Sequence, residues 1–256
     1  MLLQLRAIIA LTIKEIIRRK LTYFLILICL LYLIVVSSFQ PFKLNVQFRL
    51  IKDLSLSGIE IIGILSTFVV VIPLFSREIE MKTLFPILAK PISRSLYLTG
   101  RMIGSAIAIT TIWLVLTIEI NLLLFFKGQD FSLPLLYSLI LLLFEFYVLL
   151  VWVSLFSSFV SPPLNVSIAT MVYVIGNFSY FFKDFLLKKV PMVLSYILKG
   201  IFLIIPNFTF LHTHDAVVHD IPVSNGYYLK VMMYVIVYIA CLYQIAIIAF
   251  EKKDIN

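Results

Sequence analysis

The chain has 256 residues, of which 62% are hydrophobic and only 13% charged. Soluble domains carry about 25% charged residues, so a water-soluble globule is excluded and an all-α integral membrane protein is expected. The net charge of +8 is not a nucleic-acid signature, because the basic residues cluster at the ends of apolar runs, where headgroups anchor them.

Residues 2–20, LLQLRAIIALTIKEIIRRK, place Leu5, Ile9, Thr12, Ile13 and Ile16 on one helical face and Gln4, Lys14 and Arg18 on the other. That pattern predicts an interfacial helix on the inner leaflet. The stretch carries charge along its length and no small-residue cleavage site, so no cleavable signal is expected. A membrane helix needs roughly 20 apolar residues. Six runs fit: Leu21–Phe39, about Gly58–Ser76, about Ile103–Phe126, Pro134–Val160, Leu164–Phe182 and about Tyr228–Phe250. Six spans put both termini on one side, and Arg18-Arg19-Lys20 at the start of the first span makes that side the cytoplasm. The inner segments then hold 12 of the 21 Lys and Arg residues.

One domain covers residues 1–256: the interfacial helix 1–20, spans 1–2 in 21–76, a polar cytoplasmic segment 77–101, spans 3–5 in 102–182, an external segment 183–226, and span 6 with the tail in 227–256. Within the external segment, Val193–Ile205 is apolar but too short and interrupted to span, which predicts a re-entrant or interfacial helix. Cys29 and Cys241 both lie inside apolar runs, which leaves no disulfide framework or zinc knuckle.

Residues 77–101, REIEMKTLFPILAKPISRSLYLTGR, interrupt the apolar pattern between spans 2 and 3. Glu80–Ala89 can form a short helix, broken before Pro91. Its Met81, Leu84, Phe85 and Leu88 recur at helical spacing and suit contact with another protein at the membrane surface. The bland alternative is a hairpin on headgroups, anchored by Lys90, Arg94 and Arg101.

This segment resembles the signature of ABC-2 type transporter permeases. Glu80, Thr83, Leu84, Leu88, Ala89, Pro91, Ile92, Ser93, Arg94 and Gly100 match it; Lys82 stands where glycine is usual and Arg101 where lysine is usual. TIKEIIRRKLTYFL is similar to the family's entry into span 1, and SLFSSFVSPPLNVSIATMVYVIGN to its fourth-to-fifth connection. IIPNF (Ile204–Phe208) is similar to its outer segment and FEKKDI to its ending. The resemblance is nearest to the permeases labelled for multi-copper enzyme maturation.

The resemblance implies a permease subunit forming half of a substrate pathway for export, in a bacterial plasma or inner membrane. It implies a second permease copy or a sister permease as partner. Glu80, Thr83, Leu84, Leu88, Pro91 and Arg94 would form a coupling helix seated in a separate cytoplasmic ABC ATPase, which would bind ATP and Mg. None of the eight glycines belongs to a G-x-x-x-x-G-K-[ST] phosphate loop, so this chain is expected to be neither the motor nor an enzyme. A membrane anchor or assembly scaffold without transport is the alternative.

Glu145 lies mid-way in span 4, and Glu119 with Asn121 in the outer half of span 3. A charge at the bilayer centre costs roughly 2.5–3.5 kcal/mol on insertion scales, and no Lys or Arg lies deep in a span to pair with them. These three are candidates for lining the substrate path; a helix–helix hydrogen bond is the competing role. Glu60 reads as interfacial, near the outer end of span 2. All three histidines fall in LHTHDAVVHD. Dense imidazole and carboxylate can bind Zn or Cu, but the spacing of His212, His214 and His219 matches no closed-site template. The segment reads as a polar surface loop, with a metal-binding membrane protein as a remote alternative.

Overall fold

The computed structural model describes residues 2–38, 44–80, 93–127, 132–157, 159–179, 200, 204–219 and 221–252. Their regular structure is helical, with no strand among them. In chain order the helices are α1 (Leu2–Arg18), α2 (Lys20–Ser37), α3 (Leu44–Glu80), α4 (Arg94–Phe126), α5 (Leu133–Ser157), α6 (Pro162–Asn177), α7 (His214–Val218) and α8 (Asn225–Glu251). A 3-10 turn, Phe208–Phe210, precedes α7. Among the described residues, four helices are long and apolar enough to cross a membrane: Arg49–Phe75 within α3, then α4, α5 and α8. The chain is a membrane-embedded all-α protein. In such a setting every backbone group must be paired inside its own segment, which is why helices carry the span.

Helix α5 is the centre of the bundle. Leu139, Leu141, Leu142, Phe146, Leu149 and Val153 are buried along it, and it packs against α3, α4, α6 and α8. Polar side chains tie it to its neighbours. Trp113 Nε1 of α4 donates to Leu139 O (2.9 Å), and Trp152 Nε1 donates to Tyr238 Oη of α8 (3.0 Å). Asn165 Nδ2 of α6 donates to Val153 O (3.0 Å) and Ser157 Oγ (2.7 Å). Gly63 of α3 lets the Phe146 ring approach; a Cβ there would lie 2.0 Å from Phe146 Cζ.

Helix α1 does not stand apart from the bundle. It buries Ile8, Thr12 and Ile16 against α4, at Gly100 and Gly104, where a Cβ would meet Ile8 and Thr12 at 2.7 Å. Small residues four apart allow this close crossing. Arg101, between those glycines, is 1% exposed. Its Nη1 donates to Glu15 Oε2 (2.7 Å) and Thr12 Oγ1 (3.4 Å), and its Nε donates to Tyr97 Oη (3.0 Å). Arg101 is therefore a buried clamp rather than a lipid anchor, contrary to the hairpin reading. Glu15 also pairs with Arg19, whose Nη2 donates to Pro73 O of α3 (3.3 Å).

Two helices begin earlier than hydropathy suggests. Helix α3 continues N-terminally through Arg49, Lys52 and Asp53 because Ile51, Ser55, Leu56 and Ile59 keep one face buried. Helix α4 begins at Arg94 because the Ser93 side chain caps it, accepting from Leu96 N (3.3 Å).

Candidate functional site

The side chains best placed for chemistry gather inside the bundle rather than on its surface. Glu60 lies near the middle of the Arg49–Phe75 stretch and Glu145 at the middle of α5. The chain after α6 brings histidines to them. That segment is held by its own local chemistry. Asn207 Oδ1 accepts from Thr209 N (3.1 Å), capping the 3-10 turn. Gly176 leaves room for Phe208, whose ring is fully buried. Thr209 Oγ1 donates to Asn177 O (3.0 Å), Tyr227 Oη to Phe210 O (2.8 Å) and Tyr238 Oη to Ile204 O (2.6 Å). The chain is thus pinned between α6 and α8, and His212 is directed inward.

His212 Nε2 lies 3.2 Å from Glu145 Oε2 and 3.3 Å from Glu60 Oε1. His214 Nδ1 lies 3.8 Å from Glu60 Oε2, and the two imidazoles stack with centroids 5.2 Å apart. Tyr173 of α6 donates its hydroxyl to Glu60 Oε1. Four separate stretches of chain therefore contribute to one cluster. Glu145 is fully buried, and its Oε1 has no hydrogen-bond partner; neither does Nε2 of His214.

The two imidazoles differ electrostatically. Burial disfavours the charged form of His212, but the hydrogen bond it donates to Glu145 and the charges of Glu145 and Glu60 outweigh it and hold its pKa above the ordinary imidazole value. His214 moves the other way: burial, then the neighbouring His212 charge, hold its pKa below that value.

These placements differ from the sequence expectations in three respects. Glu60 is not at a helix end, because α3 starts at Leu44, well before the apolar run. Glu145 does not lack a basic partner, since His212 reaches it from a distant segment. The histidine segment is not uniformly a surface loop: His212 and His214 turn inward, whereas His219 is exposed, its Nδ1 3.0 Å from Asp215 O.

Glu119 and Asn121 lie apart on α4. Asn121 Nδ2 donates back to Thr117 O (2.7 Å). Glu119 is half-buried and borders an apolar cavity of about 300 Å³ with Ile13, Ile16, Leu25, Cys29 and Ile112. The expected coupling segment falls largely outside the described residues, as do Thr83, Leu84, Leu88 and Pro91; Glu80 closes α3. The predicted helix over 193–205 falls there too, except for residues 200, 204 and 205. Arg94 is described: its Nη1 donates to Glu251 O at the end of α8 (3.3 Å). No protein-family model matches the sequence, and no curated protein matches it.

Proposed function

We propose that the chain is the membrane-spanning permease subunit of an ABC transporter, in a bacterial plasma or inner membrane. In this reading α2 and α6 join the four long helices as spans, giving six, with both termini cytoplasmic. Two permeases, either identical copies or a sister pair, enclose the pathway. A separate cytoplasmic ATPase binds ATP with Mg, and its closure on nucleotide switches the permease pair between two states, moving cargo outward.

The observation that carries the reading is the attachment of residues 81–92. They join the end of α3 to the start of α4, two of the longest apolar helices. At that same end of the bundle, α1 packs on α4 through Gly100 and Arg101. Arg19 touches Pro73 there, and Arg94 touches the end of α8. A push on 81–92 would therefore be delivered to α3 and α4 directly, and to α1 and α8 through their contacts. The ordered resemblance to the ABC-2 permeases along the chain supports the same assignment.

The test is purification of the chain from its native membrane. An ABC ATPase is expected to copurify, with a hydrolysis rate that changes when Arg94 or Glu80 is replaced by alanine. Absence of any ATPase, or hydrolysis indifferent to both changes, would favour an anchor or scaffold.

A further inference from the structure

The cluster around His212 has the composition and spacing of a metal site, and we propose that it binds one divalent transition-metal ion of the zinc type. The proposed ligands are Glu60, Glu145 and His212. The inference is independent of the transporter reading, since it rests only on the interior of this chain.

Three observations carry it. The first is spacing. The candidate ligand atoms of Glu60, Glu145 and His212 all lie within 4.8 Å of one another. Two of the separations are 3.2 and 3.3 Å. Metal–ligand bonds of about 2.0–2.1 Å at tetrahedral angles put neighbouring ligand atoms about 3.3–3.4 Å apart. The cluster can therefore receive an ion with small side-chain adjustments. The second is the unpartnered Glu145 Oε1, on a residue that is fully buried. Leaving such an acceptor unpaired is costly; a cation beside it removes the cost. The third is orientation. The Tyr173 hydroxyl donates to Glu60 Oε1 and orients that carboxylate, the support metal-binding carboxylates ordinarily have.

The donor set also selects the ion. Two carboxylates balance a charge of +2. One imidazole nitrogen disfavours Mg and Ca, which prefer all-oxygen shells, and the lack of thiolate in the set disfavours Cu(I). Three protein ligands leave a fourth position for water or another donor. His214 is close to one of the ligands, its Nδ1 3.8 Å from Glu60 Oε2. A competing arrangement has no ion, with His212 acting as the cationic partner of the two carboxylates.

The experiment uses the full chain in lipid nanodiscs, freed of any histidine tag and treated with chelator, then titrated with Zn²⁺ by calorimetry. A parallel titration with Co²⁺ is followed by its visible absorption. One saturable site per chain is expected, with the intense d–d bands of a four-coordinate ion. Tyr173→Phe should weaken binding about tenfold. Glu145→Gln, Glu60→Gln and His212→Gln should weaken it by more than that, and His219→Gln should leave it unchanged. No saturable Zn²⁺ binding together with no four-coordinate Co²⁺ spectrum would overturn the proposal. So would binding that survives in Glu145→Gln and His212→Gln, which would place the ion elsewhere. If one substituted chain fails to fold, the other ligand variants and the wild-type Co²⁺ spectrum still decide.

Discussion

Replacing Glu15 by alanine takes its carboxylate away from the guanidinium of Arg101, which is 1% exposed and also donates to Tyr97 Oη at 3.0 Å and Thr12 Oγ1 at 3.4 Å. The lost pair has its closest atoms 2.7 Å apart. With charge centres about 4 Å apart and an effective dielectric of about 20, the attraction is about 4 kcal/mol. Glu15 is 34% exposed, so solvent screening removes about half of that. We therefore expect Glu15→Ala to cost about 2 kcal/mol. Arg101→Met should cost about the same, and the double change little more than either, because the attraction of the pair is lost only once. The coupling energy of the cycle is then about 2 kcal/mol. For a chain this size each kcal/mol moves the melting midpoint by about 2–4 °C. The single variants should melt about 4–8 °C below wild type in detergent at a fixed scan rate. Additive effects, with a coupling under about 0.5 kcal/mol, would refute the clamp.

The same clamp predicts a pH dependence. Burial pushes the Glu15 carboxyl up, but the hydrogen bonds and charges of Arg101 and Arg19 more than offset this and hold its pKa below the ordinary carboxylate value of 4.5. Unfolded chain then binds the proton more readily, so the contribution is complete above about pH 4.5 and fades as pH falls through the folded value. The melting gap between wild type and Glu15→Gln should be constant near neutral pH and narrow progressively below about pH 4.5; a gap that widens on acidification would be the wrong sign. Gly63→Ala should destabilise by about 1–3 kcal/mol, because the added Cβ meets the buried Phe146 ring and pushes α3 off α5; an unshifted melt would mean that this contact is loose. Trp113→Phe removes the indole donor to Leu139 O and should cost about 1 kcal/mol, seen as a few degrees of melting shift.

Much of the helical layout could be read from hydropathy. Each of the six apolar runs overlaps a described helix, and among the described residues four of these are long and apolar enough to cross a membrane. Helix ends were less legible. Apolar content does not report where an amphipathic extension keeps one buried face, as in α3, or where Ser93 caps α4. The role of Arg101 was hidden for a related reason. A basic residue beside an apolar run reads as a headgroup anchor unless its partner, here Glu15, is known to lie against it.

The cluster was half visible. Glu145 stood out as a carboxylate in an apolar run with no Lys or Arg at its depth, and the histidines stood out by density. What joined them was long-range: the fold of residues 204–219 back between α6 and α8, fixed by Phe208 at Gly176 and by tyrosines of α8. No periodicity encodes that return. The available signal was arithmetic of charge, since buried acids with no deep Lys or Arg leave histidine as the remaining basic partner.

The central claim, a permease driven through residues 81–92 by a separate ATPase, is tested most directly by cross-linking. A cysteine is placed at Leu84 or Leu88 in a background carrying Cys29→Ser and Cys241→Ser, and a short bifunctional thiol–amine reagent is applied in native membranes. The account predicts a covalent product with an ABC ATPase subunit, whose yield changes when ATP and Mg are added. Cross-links to lipid or to the chain itself only, unaffected by nucleotide, would contradict it.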